Sequence, residues 1–228
     1  MQSSGMEHLA FSSLFFDAPL PLKSAIVSRL ASSSPRLNIQ SIVNDLKPGT
    51  TIQFAESKIG VPFYYDDSLR QYKLLDGKLA IFLFQDRGRI QAAYFEWRGT
   101  PVAPYPRFQP PYREGTGDID RALDFGSATF GELISSVVLS CDPVTGDSSA
   151  RMLYIAVQCE SRLGARDPWL YVFGLNHQTR DNRGPADLEQ SGSSIDSLKA
   201  EVFNILLITK DSDALRYVMR AQDQLTPL

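Results

Sequence analysis

Residues Arg70-Gln71-Tyr72-Lys73-Leu74-Leu75-Asp76-Gly77-Lys78-Leu79-Ala80-Ile81-Phe82-Leu83-Phe84-Gln85 decide the fold. In the first half Tyr72 and Leu74 alternate with Gln71 and Lys73, the period of a half-buried strand. Asp76-Gly77 is a two-residue turn of the kind that takes positive φ at both positions and so matches the twist of the strands it joins. After the turn Leu79, Ile81 and Leu83 face one way, and Ala80, Phe82 and Phe84 the other. A strand apolar on both sides belongs in the middle of a sheet covered twice. Gln85-Asp86-Arg87-Gly88 makes a second turn, and Arg89–Trp97 returns as a third strand.

Working outward, Thr51–Glu56 and Val61–Tyr65 read as short strands before the meander. Further upstream, Pro19 and Pro21 introduce a helix carrying Leu22, Ile26 and Leu30. Asn38 caps a second one, with Ile39, Ile42, Val43 and Leu46 at helical spacing and Pro48-Gly49 as its stop. Downstream, Ser136–Cys141, Arg151–Cys159 and Trp169–Leu175 read as strands, with Asp142–Ser149 as a loop. Ser193-Ser194-Ile195-Asp196 resembles a capping box before a stripe of Ile195, Leu198, Val202, Ile205 and Leu206. A last helix runs through Ala214–Gln224. The expected class is α+β: an antiparallel sheet of about seven strands, an N-terminal helical hairpin and two C-terminal helices. Residues 1–18 read as a flexible N-terminus and 19–228 as one domain with a Pro/aromatic arm at 97–117 and a polar loop at 176–194.

Composition bounds the function. The chain has 228 residues, 43% hydrophobic and 21% charged, with a net charge of −3 and a pI near 5.4. Such a chain forms a core without help from metals or disulfides. Nucleic-acid binding, which draws its affinity from phosphate neutralisation, starts behind in an acidic chain. No apolar run approaches a membrane span, and the N-terminus lacks the basic and apolar regions of a secretory signal. If the chain turns at Asp142–Ser149, Cys141 and Cys159 lie about 30 Å apart, beyond the reach of a disulfide. Both then read as free thiols, which points to a reducing, cytoplasmic setting.

Candidate chemistry is sparse. Asp67 with Asp76 and Lys78 has a spacing that a metal-dependent nuclease tolerates, yet turn geometry already explains Asp76-Gly77. Asp118, Asp120 and Asp124, with Glu132 beyond, could share Mg²⁺ with a phosphorylated or nucleotide substrate. The plainer reading is helix capping, and no phosphate-cradling glycine loop accompanies the cluster. His177 with Asp181 or Asp187 could act as a general base, but a lone loop histidine is more often just polar surface. Two unpaired cysteines cannot supply a structural zinc site, and no cofactor signature is present.

The segment after the meander carries the most promise. It holds Trp97, Arg98, Tyr105, Arg107, Phe108, Tyr112 and Arg113 among Pro101, Pro104, Pro106, Pro110 and Pro111. Prolines pre-order it near polyproline II, and its aromatics and arginines are the types that dominate interface hot spots. The expected function is therefore a non-enzymatic binding or assembly module whose arm contacts a protein partner or a second copy. A basic aromatic strip for single-stranded nucleic acid is a weaker alternative. The plain reading is a stiff crossover whose aromatics pack onto their own sheet. An enzyme using the acidic cluster is the competing function.

Overall fold

The computed structural model describes residues 37–98, 100–109, 122–135, 139–144, 153–161, 169–176 and 199–224, all within a unit spanning Leu37–Leu228. In chain order these are helix α1 (Ile42–Asp45), α2 (Ile52–Ile59), strands β1 (Tyr64–Tyr65), β2 (Leu69–Leu74), β3 (Leu79–Asp86), β4 (Arg89–Trp97), β5 (Arg107–Phe108), β6 (Leu123–Asp124), α3 (Phe130–Ile134), β7 (Leu139–Val144), β8 (Leu153–Ser161), β9 (Leu170–Asn176), β10 (Ile205–Thr209) and α4 (Leu215–Gln224). The fold is α+β. Eight strands form one antiparallel sheet in the order β1-β2-β3-β4-β10-β9-β8-β7, and β5 pairs with β6 separately. Two meanders, β1–β4 and β7–β9, are thus joined by the last strand, which lies between them.

The hairpin forms as its residues dictate. The Lys78 N–H donates to the Leu75 carbonyl at 3.1 Å, closing the turn over Asp76 and Gly77, whose φ values are 56° and 82°. Leu75 also adopts a positive φ, 53°. The next turn repeats the device at Arg87 (49°) and Gly88 (74°), pairing Asp86 with Arg89. Between them β3 divides its side chains as expected. Leu79, Ile81 and Leu83 enter a core with Ile42, Val43, Leu46, Ile52 and Ala55, beneath α1 and α2. Ala80, Phe82 and Phe84 enter a second core with Val218 and Ala221 of α4. The sheet is covered on both faces.

Three local expectations change. Thr51–Glu56 is not a strand: the Thr51 hydroxyl accepts from the Phe54 N–H at 3.2 Å and caps the helix Ile52–Ile59, which buries Ile52, Ala55 and Ile59, so an N-cap outweighs β-favouring composition. The stripe expected as a helix through Leu206 ends instead in β10, whose five residues are all buried. A strand apolar on both faces has no alternation to distinguish it from a buried helix. The segment 193–198 that would begin that helix, the helix expected from Pro19, and the whole of 1–36 lie outside the described residues.

The third change concerns the cysteines. The strand expected to stop at Cys141 continues through Asp142 and Pro143 to Val144. It can do so because β7 is an edge strand, where a proline's missing N–H breaks no ladder bond. The register then places Cys141 directly opposite Cys159. Cys159 is disulfide-bonded, and Cys141 is the chain's only other cysteine. The expectation of two free thiols is corrected, and with it goes the ground on which they pointed to a reducing compartment.

Candidate functional site

The arm comes first, because the sequence placed the site there. Trp97 closes β4, is fully buried, and donates its indole N–H to the Phe125 carbonyl at 2.9 Å. Phe108 is 1% exposed and meets Tyr171 and Phe173 edge-on, at 5.1 and 5.4 Å between ring centroids. Tyr105 is partly buried against the same core. Trp97 and Phe108 are therefore core residues of their own domain. The reason is alternation: β5 turns Phe108 inward and leaves Arg107 exposed, 3.4 Å from Asp124. The backbone is tied down as well. The Arg107 N–H donates to the Gln40 carbonyl at 2.9 Å, and the Asn44 side chain donates to the Arg107 carbonyl at 3.0 Å. Arg98 is half-buried, its N–H donating to the Lys78 carbonyl at 2.7 Å. Tyr112 and Arg113 lie outside the described residues.

The other candidates fare similarly. Asp124 faces Arg107, and Glu132 closes a capping box with Thr129 at the start of α3. Asp118, Asp120, His177 and the loop from 177 to 194 lie outside the described residues. Asp67 and Lys78 are exposed at different turns. Among the described residues, no three His, Cys, Asp or Glu side chains are grouped so as to hold a metal ion, and no helix is long and apolar enough to cross a membrane.

A different surface stands out. Helix α2 ends at Gly60, whose φ of +87° turns the chain sharply outward. The following residues, Val61-Pro62-Phe63-Tyr64-Tyr65, run along the outer edge of the sheet as the lead-in to β1 and β1 itself. Val61 is 88% exposed, Phe63 67%, Tyr65 66% and Tyr64 44%, and Phe54 on α2 adds 42%. At about 200 Å² for a large side chain, Val61, Phe63, Tyr64 and Tyr65 together expose roughly 500 Å² along this edge, divided between its two faces because successive strand residues point opposite ways. That is as large as the largest apolar patch of an ordinary monomer, which is about 300–600 Å².

Cations sit over the rings. Lys73 Nζ lies 4.0 Å from the Phe63 ring centroid, the Arg70 guanidinium 5.2 Å from Tyr65, and Lys58 Nζ 5.2 Å from Phe54. Arg70 also faces Glu56 at 3.6 Å. Between them opens a hollow of about 290 Å³ lined by Glu56, Gly60, Val61, Pro62, Tyr65 and Arg70. The β1–β2 turn is well ordered by Asp66, which accepts from the Ser68 N–H at 2.7 Å and the Ser68 hydroxyl at 2.8 Å. Burial would raise the Asp66 carboxyl, but the Ser68 and Leu69 donors, with Arg220 nearby, hold it below the usual range. Arg220 of α4 donates to the Ser68 hydroxyl at 2.6 Å, anchoring the turn to the opposite layer. The edge thus presents exposed rings beside an anchored turn, Phe63 and Tyr65 each with a cation over one face.

The sequence reading treated Val61–Tyr65 only as a strand. The missed signal is five apolar residues in a row beside a turn, with no polar alternation to mark a face toward water. Comparison of the chain with protein-family models, with curated proteins and with solved structures finds no match.

Proposed function

We infer that the chain is a non-enzymatic binding or assembly module, and that it contacts a protein through the edge formed by Phe54 and Val61–Tyr65. The observation that carries this reading is the contiguous exposure of Val61, Phe63, Tyr64 and Tyr65 at the sheet margin. Burying them against another protein removes apolar surface from water, worth about 25 cal/mol per Å² before the costs of association. Aromatics held rigidly and rimmed by charged residues are the composition of interface hot spots. The surface differs from the arm proposed on sequence grounds, because Trp97 and Phe108 of the arm are already engaged at home.

The experiment is site-specific photo-crosslinking in cells, with Tyr65 replaced by benzoylphenylalanine. The reading expects a discrete adduct at position 65 that Phe63→Ser abolishes, and none when the probe replaces Asp213 beyond β10. No adduct at 65, or an equal one at 213, overturns it.

A further inference from the structure

Resting on that reading, we propose that the occupant of the aromatic edge is a second copy of this chain, docked beside β1 about a two-fold axis. The amount of surface fits. Roughly 500 Å² of side chain along the edge, extended by the charged rim, approaches the ~800 Å² per partner of a standard interface.

Charge favours a copy over an anionic partner. Lys58, Arg70 and Lys73 stand over the rings, with Glu56 beside Arg70 and Asp66 beside the Tyr64 hydroxyl, so the patch carries both signs nearly in balance within a chain of net charge −3. Two copies meet there with little like-charge repulsion, whereas a nucleic acid or an anionic membrane calls for an excess of cations. The chemistry is also self-complementary, as a two-fold interface requires. Phe63, Tyr65 and Phe54 each carry a cation over the ring, so one copy offers both rings and cations to the other.

The topology agrees. A two-fold axis perpendicular to an edge strand sets the two copies of that strand antiparallel, the sense of every pairing in this sheet. The opposite edge, β7, contains Pro143, a residue that discourages further pairing. β1 contains none.

The test is light scattering coupled to size exclusion, on the full chain over a concentration series. The proposal expects twice the 25.4 kDa chain mass at the upper end. It expects the double variant Phe63→Ser/Tyr65→Ser to weaken association roughly a hundredfold or more. Both rings are exposed, so the variant's thermal melt at monomer concentration stays that of the parent, and Lys73→Glu, which leaves the rings in place, weakens association more modestly. A monomer at every concentration overturns the proposal, as does a dimer indifferent to both variants. If the parent is monomeric while the Tyr65 crosslink to another protein persists, self-association fails and the binding reading survives. If neither is seen, both fall.

Discussion

Phe108→Ala separates the two readings of the arm. If the arm reached out to a partner, truncating this ring would leave the isolated chain as stable as before. In the structure the ring is 1% exposed and lies edge-on to Tyr171 and Phe173 at interplanar angles of 67° and 71°. Removing it takes away the transfer free energy of a buried phenyl group and leaves a cavity lined by those two rings, which do not collapse easily because they stack on each other at 6.3 Å. The expected cost is about 3–5 kcal/mol, a large part of the 5–15 kcal/mol that holds a typical domain together. At about 2–4 °C per kcal/mol for a domain of this size, the melting temperature falls by roughly 10 °C. The neighbouring Arg107→Ala is the control. Its guanidinium and the Asp124 carboxylate are both about half exposed, so it changes stability by less than about 1 kcal/mol. Urea denaturation of the three proteins, followed by far-ultraviolet circular dichroism, is the assay. Equal midpoints for Phe108→Ala and the parent would refute the packing described here.

Gly126→Ala tests the same junction from the other side. Gly126 has φ +112°, and a Cβ there would sit 2.5 Å from Trp97 Nε1 and 3.1 Å from Pro101 Cβ. Backbone strain and overpacking together cost about 2–5 kcal/mol, read as a lower urea midpoint. Reducing the Cys159 disulfide, whose loop closes back to Cys141, lowers stability by about 3 kcal/mol. The same urea titration with and without a reductant, beside a thiol assay that finds no free thiol before reduction, checks it. Alkaline pH acts through two tyrosines. Burial, then Glu96, pushes the Tyr94 hydroxyl well above its ordinary value, and burial, then Glu56, pushes Tyr72 up to about 12. The folded state keeps these protons where the unfolded chain releases them, near 10. Their contribution is therefore fully present below pH 10 and is lost as pH rises through the folded values. Phenolate absorbance should show at least two of the nine tyrosines ionising late, together with unfolding.

Much of the fold was legible where the chain meets water on a regular schedule. Tyr72 and Leu74 against Gln71 and Lys73, and the positive-φ turns at Asp76-Gly77 and Arg87-Gly88, specify a register that permits one pairing, because a slip of one residue would turn Tyr72 outward. Legibility failed where periodicity was absent or disguised. Ile205–Thr209 is buried on both faces, so nothing in it marks a strand. Asp142-Pro143 looks like a turn, and only its position at the sheet edge, a long-range fact, lets it extend β7 and bring the cysteines opposite each other. The arm misled for a related reason: aromatic and proline content is common to interfaces and to packed crossovers, and the alternation of Arg107 and Phe108 decides between them only when the sheet beneath is known. The aromatic edge was hidden because exposure depends on strand order, and β1 becomes an edge only once the eight strands are arranged.

The contact surface itself can be mapped by hydrogen–deuterium exchange on the chain in dilute and concentrated solution. Concentration is expected to slow exchange at 61–66 and along β2, with no change at β7. Concentration-dependent protection confined to β7, or none anywhere along β1, would contradict it.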